Sequence, residues 1–265
     1  MRRPTCGPGW AYHAGMVTNL YGDLGGHDRR TLVRPERALA IGAHPDDIEF
    51  GAGGTLAKWA AEGTEVTMLV VTDGSKGTWD ENLAPTRLVM MRKDEQLAAA
   101  KVLGAAHVTH LDLVDGELVY SMGLRAEMCR QVRLAEPDVV LTHDPWQRYQ
   151  LHPDHRVAGL AAVDGVVAAR DHLFFPEQGL GAHRPDAILL WSADEPDHWE
   201  DIGRQLSTKV EALLCHSSQA TTTMGGADRD ELRRQAFVDR VTAWAAESGA
   251  AVGLRAAETF KRLSP

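Results

Sequence analysis

Cysteine is scarce in this sequence. Only Cys6, Cys129 and Cys215 occur in 265 residues. They are too few and too scattered for a disulfide framework or a paired-sulfur metal site, so a reducing cytoplasm is the expected compartment. No apolar run reaches about 18 residues, so no segment reads as a membrane span. Lys and Arg number 28 against 37 Asp and Glu, a net charge of −9, and they form no run. Nucleic acid is therefore disfavoured as main partner, because phosphate contacts need clustered positive charge. The opening MRRPTCGPGWAYHAG is basic but lacks an apolar core, so it does not read as a secretory signal.

What is present is an ordinary globular composition, with 44% hydrophobic and 25% charged residues. Residues 1–34 are rich in Gly, Arg and His without any period. They read as an extra or poorly ordered arm, with Met16 as an alternative natural start. Residues 35–265 read as a single domain. Short apolar runs at 38–44, 65–72, 107–113, 138–144 and 187–191 predict strands. Between and after them, amphipathic stretches at 53–62, 85–103, 121–135, 153–170, 204–216 and 228–248 predict helices, with Gly63 and Gly104 as stop signals. The segment 172–186 reads as a loop. The alternation predicts an α/β fold: a doubly wound, mostly parallel, Rossmann-like sheet with helices on both faces. Such sheets bind ligands beyond the carboxyl ends of their strands.

The polar residues collect at those ends. His44, Asp46 and Asp47 follow the first strand; Thr72, Asp73 and Ser75 the second; Asp112 and Asp115 the third; His143 and Asp144 the fourth. Two clusters stand out, AHPDDIEFGAGG at 43–54 and HPDHR at 152–156. In each, ligand-type residues lie three apart across a proline: His44 with Asp47, and His152 with His155. Imidazoles and a carboxylate, with one position left for water, describe a catalytic zinc site. His-Pro and Asp-Pro pairs are also plain turn formers. Two such pairs, each at a predicted strand end, favour a site.

HPDDIEFGAGG, followed by EVTMLVVTDGSKG and later by HPDHR, resembles the LmbE/PIG-L family of zinc-dependent N-acetylglucosaminyl deacetylases. The resemblance spans about 38–220. The family often reads HPDDE, whereas here Ile48 precedes Glu49. The resemblance implies a Zn²⁺ ion, one per chain, held by His44, Asp47 and His155. It implies Asp46 as general base and His152 as the group that stabilises the oxyanion or protonates the leaving amine. Arg92 and Asp115 fall where the family has substrate contacts, although an exposed helix Arg and a turn Asp remain equally open. Asp154 or Asp144 could orient an imidazole. The implied substrate is a small amino-sugar conjugate, and a homo-oligomer is allowed.

Other signals leave alternatives open. Ser75 in TDGSKG sits in either a turn or an active-site loop. Trp79, Trp146 and Tyr149 could stack on a sugar, with core packing as the default. His216 either reaches the site or caps a helix end. GAGGTLA lacks the spacing of a nicotinamide loop, and its glycines are expected to allow close helix packing. Two competing functions are a metal-dependent phosphoesterase and a non-catalytic, metal-stabilised sugar-binding module.

Overall fold

A computed structural model of the chain describes residues 32–265. The arm expected over 1–34, save its last three residues, and the alternative start at Met16 lie outside the described residues. The elements, in chain order, are β1 (Arg37–Gly42), α1 (Asp47–Ala61), β2 (Glu65–Thr72), α2 (Pro85–Leu103), β3 (His107–Leu113), α3 (Met122–Ala135) and β4 (Val139–His143). They continue with α4 (Pro153–Ala169), β5 (Ala187–Trp191), β6 (His198–Asp201), α5 (Leu206–Leu214), α6 (Glu231–Ala250) and β7 (Ala257–Leu263).

The strands form one sheet in the order β3-β2-β1-β4-β5-β7-β6. The first five are mutually parallel, while β7 runs antiparallel to both β5 and β6. Alternate residues of each central strand feed opposite layers, as a period of two requires. Ala38 and Ala40 join the layer holding Leu56, Trp59 and Leu103, whereas Leu39 and Ile41 join the layer holding Met128, Val132 and Ala162. So α1, α2 and α5 cover one face, and α3 with α4 covers the other. The predicted doubly wound α/β sheet is the one observed.

The chain winds outward from β1 through β2 to β3, then returns to place β4 on the other side of β1. The two connections leaving β1 and β4 therefore diverge, and a crevice opens at the carboxyl ends of those strands. His44 leaves β1 at this point, and His143 closes β4.

Three features departed from expectation. Helix α1 begins at Asp47, six residues earlier than predicted, because its Gly-rich first half is helical rather than a loop. The glycines are there for close approach: a Cβ on Gly51 would enter the Trp191 indole, and one on Gly54 would come within 2.8 Å of Ile202. Strands β6 and β7 carry too many charges to read as strands. Their register sets Glu200 opposite Glu258, a like-charge pair that would ordinarily weaken a ladder.

Each of those carboxylates is neutralised by α1 or α5. Glu258 accepts from the Gly54 and Thr55 amides of α1 at 2.9 and 2.7 Å, and from Lys209 Nζ at 2.5 Å. Glu200 accepts from Lys58 Nζ at 2.9 Å and from His198 Nε2 at 2.8 Å. The antiparallel strands are thus the anchor of the helix that carries Asp47. Burial alone would raise the Glu200 carboxyl, but the bonds from His198 and Lys58 outweigh it and hold it below the usual range. A depressed folded-state pKa gives stability that is present near neutrality and lost on acidification. Glu200→Gln is therefore expected to cost about 1–3 kcal/mol in urea unfolding near neutral pH. That difference should shrink towards zero as the pH falls through the carboxylate range.

Candidate metal centre and active site

Asp46 stands at the N-cap of α1 with φ 101° and ψ −26°. An aspartate at this position usually turns its carboxylate back onto the first-turn amides. Here no such bond forms. The left-handed backbone costs about 1–3 kcal/mol and separates the two neighbouring carboxylates. Asp47 faces the imidazoles, while Asp46 faces Arg92, with Oδ1 3.6 Å from Nη2. The divergence of the two carboxylates is thus produced by a left-handed turn. Burial pushes the Asp46 carboxyl up to about 6, with Arg92 pulling against it.

The second motif enters from α4. Pro153 occupies the first helical position, where its missing N–H is no loss. His152 is the N-cap, and its Nδ1 accepts from the Asp154 amide at 3.3 Å. The proton of a neutral His152 ring is then on Nε2. The ring lies edge-on to His44, with centroids 4.5 Å apart, and stacks on His155 at 4.9 Å.

The three expected ligands converge. His44 Nδ1 is 3.2 Å from Asp47 Oδ2 and 3.2 Å from His155 Nε2, and His155 Nε2 is 3.2 Å from Asp47 Oδ1. A tetrahedral zinc with bonds near 2.0–2.1 Å has ligand–ligand edges of about 3.3–3.4 Å. The donor set therefore fits one such ion. The remaining groups prepare it. His44 Nε2 lies between Asp115 Oδ1 at 3.1 Å and Asp154 Oδ2 at 3.2 Å, two acceptors that fix the proton on Nε2 and leave Nδ1 for a metal. Asp154 is itself held by the Gly116 and Leu118 amides. The His44 amide donates to Asp47 Oδ2 at 2.7 Å.

The electrostatics also call for a cation. Burial alone would lower the His44 imidazole, yet Asp115, Asp154 and Asp47 outweigh burial and push it up to about 12. Burial likewise opposes ionisation of Asp47, but His155 and His143 hold it well below the carboxylate range. A ring so strongly drawn to positive charge stands where a divalent ion would take over the proton's role.

His143 is the residue that strand-end reasoning undervalued. Asp144 was expected beside an imidazole, but it is spent on the Trp146 amide at 2.9 Å. The preceding residue points the other way off β4 and fills that place. Trp191 Nε1 can only donate, and it lies 3.1 Å from His143 Nδ1. The His143 proton is therefore on Nε2, 3.2 Å from Asp47 Oδ2. The Ala43 amide, also 3.2 Å from that Nε2, is then a contact rather than a bond. His143 thus offers a proton to Asp47 Oδ2. Its burial favours the neutral form.

Of the readings left open for Arg92 and Asp115, the exposed helix Arg is excluded. Arg92 is buried, not surface-bound: it donates to the carbonyls of Gly74 and Pro45 and faces Asp46. Asp115 is spent on His44 and on the Lys76 amide at 3.1 Å. Both thus lie beside residues of the crevice, Arg92 at Asp46 and Asp115 at His44. Asp154 is where a ring-orienting group was expected. Ser75 is half-buried with its amide on Asp73 Oδ1. Trp79, Trp146 and Tyr149 are all exposed, against the core default. His216 is fully buried, its Nε2 3.6 Å from Glu49 Oε2.

A parallel-sheet crevice lined by two imidazoles and a carboxylate, with a second carboxylate beside them, defines a metal-dependent hydrolytic centre. The profile of the PIG-L family, GlcNAc-PI de-N-acetylase, matches residues 39–166. The chain is 35% identical over 187 residues to diacetylchitobiose deacetylase of Thermococcus kodakarensis, covering 69% of this chain and 70% of that one. It is 34% identical over 171 residues to 1D-myo-inositol 2-acetamido-2-deoxy-alpha-D-glucopyranoside deacetylase of Streptomyces scabiei, covering 54% and 52%. Among solved structures, N,N'-diacetylchitobiose deacetylase of Pyrococcus horikoshii shares 30% identity with a TM-score of 0.79, covering 87% of this chain and 84% of that one. The chain belongs to the PIG-L family of de-N-acetylases.

The Trp191 bond to His143 gives a direct test of the ligand cage. Trp191→Phe keeps an aromatic ring against Gly51 but removes the donor. Metal affinity, measured by competition with a chromophoric chelator, is expected to fall about 10–100-fold. Unchanged affinity would mean that His143 does not orient Asp47.

Proposed function

We propose that the chain hydrolyses the N-acetyl amide of a glucosamine-containing conjugate, with one zinc ion held by His44, Asp47 and His155. The observation that carries this reading is the convergence of His44 Nδ1, His155 Nε2 and the Asp47 carboxylate, whose Oδ2 meets the first ring and Oδ1 the second, every contact at 3.2 Å, beside a carboxylate that caps nothing. Zinc in such a site lowers the pKa of bound water to roughly 7 and polarises a carbonyl.

The residues of the chain do the rest. The Asp46 carboxylate accepts a proton from water as the water oxygen attacks the amide carbon. His152, its Nδ1 engaged by the helix amide, offers Nε2–H to the oxygen on which negative charge develops. The proton taken by Asp46 then goes to the amine nitrogen as the carbon–nitrogen bond breaks. Water and amide become acetate and the amine in its ammonium form, the second proton of the water reaching the amine through solvent, and Asp46 returns as carboxylate. The exposure of Trp146, on the same β4–α4 loop as His152, supports a role in stacking on a sugar ring.

Three groups among the described residues could hold an ion: His44, His152 and His155; Asp47, His143 and His155; and His44, Asp115 and Asp154. The first shares His155 with the second and His44 with the third, and Asp115 and Asp154 are engaged by the His44 ring, which favours one ion over the pair a phosphoesterase would use. No helix among the described residues is long and apolar enough to cross a membrane.

Purified protein should contain about one zinc per chain. Chelation should abolish amine release across a panel of N-acetylglucosamine conjugates, and zinc should restore it. His44→Ala is expected to lose both metal and turnover. Asp46→Asn is expected to keep the metal and lose kcat by about 10²–10⁴-fold. Full turnover in the presence of a chelator, or in Asp46→Asn, would overturn the reading.

A further inference from the structure

Behind Asp46 lies a row of buried polar side chains that the chemistry above does not use. The Asp46 amide donates to Gln96 Oε1 at 3.2 Å. Gln96 Nε2 donates to Glu49 Oε1 at 2.6 Å. Because a carboxylate only accepts here, this bond fixes which end of the Gln96 amide faces Asp46. Glu49 Oε2 faces His216 Nε2 at 3.6 Å. Glu49, Gln96 and His216 are each fully buried.

The row comes from three separate elements: Glu49 from α1, Gln96 from α2, and His216 from the turn after α5. That turn is fastened to α2 as well, since Glu95 accepts from the Ser217 and Ser218 hydroxyls at 2.9 and 2.6 Å. Burying three polar side chains is costly unless they hold something. What they meet is a crevice residue with a strained, left-handed backbone, at φ 101°.

We propose that Gln96 is a positioning residue for Asp46: backed by Glu49 and His216, it grips the Asp46 amide and holds the left-handed turn that aims the carboxylate into the crevice. The inference rests on Asp46 acting as the base. Asp47, facing the opposite way, is held instead by the His44 amide and by His143. The row therefore acts on proton transfer and not on the ligand cage.

The test is a double-mutant cycle read by kcat, KM and metal content. Gln96→Met keeps the shape and removes the acceptor. Its kcat should fall about 10–100-fold, the scale of a small misplacement of a reacting group. KM should stay within about threefold and zinc should stay near one per chain. In the Asp46→Asn background, Gln96→Met should change residual kcat less than about threefold, because coupled residues are not additive. An equal loss in both backgrounds, or an unchanged kcat in the single variant, overturns the proposal. An active Asp46→Asn enzyme would instead sink the base assignment itself, a separate outcome. Glu49→Gln retains an acceptor for the Gln96 amide and should keep kcat within about threefold, whereas Glu49→Leu should lose it as Gln96→Met does. Should Gln96→Met fail to fold, hydrogen exchange in the unmodified protein decides. The Asp46 amide is expected to be protected, although N-terminal helix amides ordinarily lack partners. Fast exchange at that amide overturns the proposal.

Discussion

Everything in the crevice depends on His44 being pinned by carboxylates through one nitrogen while the other is left open. Asp115 and Asp154 take Nε2 at 3.1 and 3.2 Å, so Nδ1 meets Asp47 and His155 in a fixed direction. Those two carboxylates arrive from different crossovers, one after β3 and one in the first turn of α4. The arrangement exists only because the strand order reverses at β1 and β4. Without that reversal, the loops bearing the two motifs would have no shared crevice. Four acidic groups crowd into little space here: Asp46, Asp47, Asp115 and Asp154. In such a poorly solvated place their mutual repulsion is tolerable only with positive charge among them.

The cost of the site is spread over the fold. Helix α1 must present Asp47 at its first residue and still lie close enough to β5 for the Trp191 indole to reach His143. Glycine at position 51 makes that approach possible. The same helix is gripped along its length by Glu258 and Glu200 from the antiparallel edge. The strain at Asp46 is thus borne by a helix that cannot rotate to relieve it.

Much of this was legible in the sequence, for physical reasons. Buried parallel strands are continuous apolar runs, so β2 and β5 could be read to the residue; β3, a half-exposed edge strand, was legible from the apolar residues spaced through HVTHLDL. The two His-Pro motifs combine a fixed backbone angle with ligand-type side chains, and His44, Asp47, His152 and His155 do meet. What was not legible depended on pairing. β6 and β7 are charged because their carboxylates are answered by Lys58 and Lys209 from other elements. The early start of α1 was hidden by glycines whose purpose is a neighbour's indole. Arg92 and Asp115 were found, but their direction was not, since a sequence does not show which way a loop side chain turns. His143 was passed over for Asp144 because adjacent residues at a strand end look equivalent until the face is known. Gln96 carries no motif signal at all.

X-ray absorption at the zinc edge of the loaded protein tests the central claim most directly. The account predicts a first shell of nitrogen and oxygen at roughly 2.0–2.1 Å, with the multiple scattering of two imidazole rings and no sulfur. Replacing His155 by Ala should remove one ring from that signature. A sulfur shell, or a spectrum indifferent to the loss of His155, would contradict it.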